Sequence, residues 1–156
     1  MRITHEVDYA IRIVYCLAVH NSKVSAKDIA EETGVPLRFA LKILRKLIQC
    51  EMVKSFKGVN GGYQLAVSPD DLSLGHIVEA IDGEITINHC LSGEFNCTRV
   101  EHKYDCDFHR IFASVNAMIR KELYKFTFGS VIANRCACGS QSNPCIHILQ
   151  EENKNG

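Results

Sequence analysis

One run of this chain, residues 25 to 67, leaves few options for how it can fold. Ser25-Ala26-Lys27-Asp28 has the form of a capping box and opens a short helix. Gly34 closes that helix, since glycine enters the left-handed conformation of a helix end at no steric cost. Val35-Pro36 makes a tight turn, and a second helix is expected from Leu37 to about Gln49. Arg38, Lys42, Arg45 and Lys46 fall on one face of it. Two extended segments follow, Glu51 to Lys57 and Tyr63 to Val67, around the tip Gly58-Val59-Asn60-Gly61-Gly62. Two helices joined by a turn and followed by a glycine-tipped hairpin read as a winged helix-turn-helix.

Charge gives that shape a purpose. From Arg38 to Lys57 there are six basic residues and one acidic one, Glu51, whereas a merely solvated face intersperses both signs. Residues 1 to 67 carry ten Lys and Arg against six Asp and Glu, a net of +4; the remainder carries eight against twelve, a net of −4. The zero net charge of the whole chain hides this division. A polyanion partner for the first half follows, and double-stranded DNA suits the shape. Arg38, Lys42 and Arg45 are expected on the duplex. Lys57 is the expected probe of an adjacent groove, with Asn60 and Gly61 bringing the wing backbone close to a phosphate.

Helical spacing of Val7, Ala10, Ile11, Val14, Leu17 and Ala18 predicts an amphipathic helix over residues 5 to 20, with Asp8 on its polar side. Leu74, Ile77, Val78 and Ile81 predict a short helix ending near Asp82-Gly83. Phe108, Ile111, Phe112, Val115, Met118, Ile119, Leu123 and Phe126 recur every three or four positions over about five turns. A stripe of that length needs a cover, and a second copy across a two-fold axis is the expected one, with Ile111, Val115, Met118 and Ile119 at the contact. The fold class is mainly α with a small β-hairpin wing. Residues 1–83 form the winged helix-turn-helix, 84–106 a cysteine-rich loop, 107–134 a dimerisation helix and a following short helix, and 135–156 a polar tail.

Eight cysteines need an explanation. The N-terminus lacks the apolar run of a signal peptide and no segment approaches a membrane span, so a cytoplasmic protein is expected. Disulfides are rare there, which turns attention to metal or thiol chemistry. Cys90, Cys97 and Cys106, in polar surroundings and with His109 three residues after the last, offer soft thiolates and an imidazole suited to an iron-sulfur cluster or zinc. Cys16 and Cys50 sit in apolar or helical surroundings and read as filler. No catalytic geometry asks for this set, so neither enzyme activity nor a small-molecule substrate is expected. Two alternatives stay open, a cluster-free thiol or zinc regulator and, in a different class, a small electron carrier. The electron carrier offers no reason for a basic helix followed by a basic wing.

The opening MRIT with Asp8-Tyr9-Ala10, the helix-turn-helix, the wing Lys57-Gly58-Val59-Asn60-Gly61-Gly62-Tyr63, the segment Leu74-Gly75-His76-Ile77-Val78-Glu79-Ala80-Ile81-Asp82-Gly83, and a three-cysteine loop before a long helix together resemble the Rrf2 family of winged-helix regulators. The resemblance covers residues 1 to about 134. It implies a homodimeric repressor whose cluster state, read from redox, nitrosative or iron status, controls binding to an operator. By position Arg38 and Lys42 match the family's recognition-helix contacts, Lys57 its wing residue, and Cys90, Cys97 and Cys106 its cluster ligands. Both of the family's alternative fourth ligands are present. His109 stands where the IscR-like branch has its histidine, implying a 2Fe-2S cluster. Asp8 stands where the NsrR-like branch takes an aspartate from the partner subunit, implying 4Fe-4S, and the setting Asp8-Tyr9-Ala10 inclines the reading to Asp8. The gaps of six and eight residues between the loop cysteines exceed those of the IscR-like branch. Cys136, Cys138, Cys145 and His147 lie outside the family pattern and suit a second metal, a reversible disulfide or a mobile tail alike.

Overall fold

A computed structural model describes residues 3–93, 97–98, 100 and 103–137, with the backbone alone at 103, 136 and 137. Its elements run α1 (His5–His20), α2 (Ala26–Thr33), α3 (Leu37–Gln49), β1 (Val53–Phe56), β2 (Gly62–Leu65), α4 (Leu74–Asp82), α5 (Asp107–Lys125) and α6 (Phe128–Ala137). Single 3-10 turns lie at His89–Leu91 and Lys103–Asp105. The winged helix-turn-helix expected from the sequence is present.

Local chemistry sets most of these boundaries. The Thr4 hydroxyl accepts from Val7 N–H at the head of α1, and Asn21 ends that helix in the left-handed region at φ 47°, its N–H donating to Leu17 O at 3.1 Å. Ser25 caps α2 by accepting from Asp28 N–H at 3.2 Å, and Gly34 closes it at φ 67°. Pro36 opens α3 without a side-chain cap; its carbonyl accepts from Phe39 and Ala40. A capping box absent from the sequence reading starts α4. There Ser73 accepts from His76 N–H, while His76 Nδ1 accepts from Ser73 N–H at 3.1 Å, so histidine fills the role usual for glutamate.

The core is built round α1. Val7, Ala10, Ile13, Val14 and Leu17 are fully buried with Ile29 of α2, Ile43, Leu44 and Leu47 of α3, and Ile77 of α4. Each of the valine, leucine and isoleucine side chains contributes about 1.5–3 kcal/mol on burial, against about 0–1 kcal/mol for an exposed ion pair. The angle between α1 and α3 is therefore fixed by packing, and surface charges only tune it.

The wing is an antiparallel pair with Val53 opposite Leu65 and Phe56 opposite Gly62. Val24 joins its edge through reciprocal backbone bonds with Tyr63 at 2.9 and 2.8 Å. Two tip glycines are needed for different reasons. Gly58 adopts φ +102°, and a Cβ on Gly61 would lie 2.4 Å from Phe56 O.

Helix α5 lies on α4. Tyr124 donates to Glu79 at 2.5 Å, Arg120 pairs with Glu79 at 2.9 Å, and the Glu79 carboxylate raises the Tyr124 pKa above its ordinary value. The corner between α5 and α6 is pinned to the start of α4 by Leu74 N–H to Phe126 O at 3.0 Å and Phe128 N–H to Leu72 O at 2.9 Å. The apolar stripe of α5 divides. Ile119 and Leu123 pack against the protomer's own core, while Phe108, Ile111, Val115 and Met118 are 55%, 57%, 41% and 65% exposed. Ile119, expected beside Val115 at a dimer contact, thus faces inward. The outward set has the 3-4-3 spacing of a coiled-coil seam. Among the described residues no helix is long and apolar enough to cross a membrane.

Candidate metal centre and nucleic-acid interface

The segment leading into the cysteine loop is held by one side chain of α5. Asn116 accepts from Ile87 N–H at 3.0 Å and donates to Ile85 O at 2.9 Å. Asn88 then caps the following 3-10 turn by accepting from Cys90 N–H at 3.1 Å. At the far end Cys106 occupies the N-cap position of α5 without spending its side chain on a capping hydrogen bond. His109 follows one turn later and is 8% exposed.

These anchors bring Cys90, Cys97, Cys106 and His109 onto one cavity of about 170 Å³, completed by Asn88, Phe108 and Phe112. The volume equals roughly five or six waters and falls below the ~300 Å³ at which organic-ligand sites begin. His109 Nδ1 is buried and has no hydrogen-bond partner among the described residues. Leaving such a nitrogen unsatisfied costs about 1–3 kcal/mol, which a bound acid would recover. Its ring meets Tyr104 edge-on at 5.6 Å. Three thiols, an orphaned imidazole and two aromatic walls fit a small inorganic group held out of water. Elsewhere among the described residues, Cys16, His20 and Glu32 bring three potential donor atoms within 4.8 Å of one another.

Asp8 does not line this cavity. It projects from α1 and pairs with Arg12 at 2.8 Å. Cys50 is exposed, and Cys16 is buried, its thiol pushed up to about 11 by burial and by the neighbouring Glu32 carboxylate. Cys138, Cys145 and His147 lie outside the described residues, as does the side chain of Cys136.

Arg38, Lys42 and Arg45 are exposed along α3, with the Arg38 guanidinium 4.9 Å from the Phe39 ring centroid. The basic run is not as unpartnered as its sequence suggested. Glu6 of α1 reaches across to bond Lys42 and, at 2.9 Å, Lys46; these bonds hold the Glu6 carboxyl below its ordinary pKa. Lys46 donates further to Ile81 O at 3.2 Å, which ties the recognition helix to the end of α4. In the wing Lys54, Lys57 and Asn60 are exposed and Gly61 is half-buried. Lys23, which the sequence reading passed over, sits 4.9 Å from the ring of Phe56, the β1 residue next to the tip, and adds a cation to the wing. An aromatic residue on the wing and a basic residue before α2 were the available signal.

Comparison with known proteins places this arrangement. The Rrf2 family model, described as an iron-dependent transcriptional regulator, matches residues 3–134. The transcriptional regulator NsrR of Bacillus licheniformis is 29% identical over 98 residues, covering 62% of this chain and 68% of the relative. Among solved structures, IscR of T. potens superposes with a TM-score of 0.66 at 23% identity over 91% of this chain and 94% of its own. CymR, the global cysteine regulator of B. subtilis, superposes with a TM-score of 0.69 at 20% identity over 86% of this chain and 98% of its own.

Proposed function

The chain belongs to the Rrf2 family of transcriptional regulators, and on that premise we propose that it is a homodimeric repressor whose operator binding is set by an iron-sulfur cluster held at Cys90, Cys97, Cys106 and His109. The observation that carries this reading is the shared cavity, with its orphaned His109 nitrogen. Three thiolates with an imidazole suit zinc or an iron-sulfur cluster, and the description of the matching family model as an iron-dependent regulator favours the cluster. When bound, that group supplies iron open to one-electron chemistry and to attack by small ligands, through which redox, nitrosative or iron status is read. His109 is preferred as fourth donor over Asp8, which can serve only if a second subunit presents it.

The remaining steps belong to the chain. Cys106 and His109 lie in the first turn of the helix that carries Ile111, Val115 and Met118, so ordering the loop orders the start of the dimer seam. A second copy covers that seam, and the pairing fixes the spacing of the two recognition helices. Within each protomer the path from loop to DNA is continuous: Asn116 on α5, then Tyr124 and Arg120 on Glu79 of α4, then Ile81 on Lys46 of α3. A hundredfold change in operator affinity needs only about 2.8 kcal/mol of coupling along such a path. Arg38, Lys42, Arg45, Lys57, Asn60 and Gly61 meet the duplex, with phosphate contacts positioning the protein and α3 reading bases in the major groove. The protein acts in the cytoplasm, as a regulator and not as an enzyme.

Anaerobic reconstitution tests this. Iron and sulfide should bind together with visible absorbance, and Cys90→Ser, Cys97→Ser and Cys106→Ser should each remove both, because a serine hydroxyl is a harder and far less acidic donor. His109→Ala should lose or alter the spectrum while Asp8→Ala keeps it. The reverse pattern transfers the fourth ligand to the partner subunit; zinc without sulfide, or a cluster that survives all three cysteine substitutions, rejects the proposal.

A further inference from the structure

We propose that Cys16, His20 and Glu32 form a second metal site, separate from the cysteine loop and suited to zinc. Their donor atoms lie within 4.8 Å of one another. Cys16 and His20 are four residues apart and so share one face of α1, the spacing by which a helix presents two ligands to one ion. Glu32 comes from α2, and buried Ile29 on the same helix fixes that helix against α1. In the metal-free chain Glu32 holds the group together, pairing with His20 at 2.7 Å and accepting from the Cys16 thiol. A divalent cation replaces these shared protons: the thiol proton leaves to solvent as the metal–sulfur bond forms, and the imidazole and carboxylate bind through lone pairs already directed inward. Thiolate, imidazole and carboxylate together select a borderline metal, with zinc the leading candidate.

Three protein ligands leave one position open. Cys16 and Glu32 also line a cavity of about 420 Å³ between α1, α2 and α6, through which an exchangeable fourth ligand can arrive. Two arginines on its wall already have partners, Arg12 with Asp8 and Arg135 with Tyr15 of the same wall, each at 2.8 Å. A metal here would cross-link α1 to the first helix of the helix-turn-helix, giving the DNA-binding unit an input that bypasses the loop.

The test uses the full chain with Cys90, Cys97, Cys106, Cys136, Cys138 and Cys145 replaced by serine, so the outcome does not depend on the cluster. Titration with cobalt(II) should show one equivalent bound with a thiolate-to-cobalt charge-transfer band, displaced by zinc(II). Cys16→Ser should abolish the band and Cys50→Ser should leave it. His20→Ala and Glu32→Gln, both on the surface and checked for native circular dichroism, should each weaken cobalt binding by at least about tenfold. Parent-like affinity in both surface variants, or a band that persists in Cys16→Ser, overturns the proposal.

Discussion

Replacing Glu6 by glutamine should strengthen operator binding although Glu6 lies outside the recognition helix. In the free protein Lys42 is bonded to Glu6, and to reach a phosphate it must give up that partner. Lys42 is 54% exposed, so the pair is worth about 0.2–1 kcal/mol, a factor of roughly 1.4 to 5 in affinity. Lys46 adds little, because Ile81 O still holds it after Glu6 is gone. Because Lys42 contacts the same phosphate with or without Glu6, the dependence of log K on log salt should change little. The sign with pH can be worked out. Since the Glu6 carboxyl is held below its ordinary pKa, the pair is fully formed above the usual glutamate range and is lost only as pH falls through the depressed native value. Acidification to pH 5 should therefore not mimic Glu6→Gln. Fluorescence anisotropy across a salt series, on Glu6→Gln, Lys42→Ala and the double variant, measures both quantities. The gain should vanish in the Lys42→Ala background. Equal or weaker binding by a well-folded Glu6→Gln, or a gain that persists without Lys42, refutes the reasoning.

Lys57→Ala should weaken binding on operator and unrelated DNA alike and flatten the salt slope by about 0.9, and parent-like binding at moderate salt would remove the wing from the interface. Val115→Glu should set two like charges near the two-fold axis at a cost of several kcal/mol, dissociating the dimer in sedimentation while the separated protomer keeps its helical circular dichroism. Ile119→Glu should instead lower the thermal midpoint, because that side chain packs on its own core.

Elements marked by local chemistry were readable from sequence. Ser25 and Gly34 bracket α2 because a cap and a left-handed stop act within one turn, and the glycines of the wing announce their tip for the same reason. Cys90, Cys97, Cys106 and His109 were legible as one group because soft side chains in a polar loop are hard to explain otherwise, and the structure does bring them onto one cavity. What escaped depended on distant parts of the chain meeting. Nothing near Lys42 in sequence points to Glu6, thirty-six residues earlier, and nothing near Cys16 points to Glu32. The stripe on α5 stated that a cover was needed without saying which; the protomer's own core takes Ile119 and Leu123 and leaves Val115 exposed, a division that only packing decides.

The hold of Asn116 on Ile85 and Ile87 bears on how such a loop can evolve. With one end tied to α5 by an amide and the other continuing into α5 itself, the roughly nineteen residues from Asn88 to Cys106 span two fixed points. Inserting two residues between fixed points costs only (3/2)RT ln(21/19), about 0.1 kcal/mol. Selection can hardly see a change that small, so the distances between cysteines along the chain are free to drift while their meeting place stays put. Gap lengths are then a record of lineage more than of chemistry, and a loop of different length, transplanted between Asn88 and Cys106 from another branch of the family, should seat its donors in the same cavity without any adjustment of the helices that frame it.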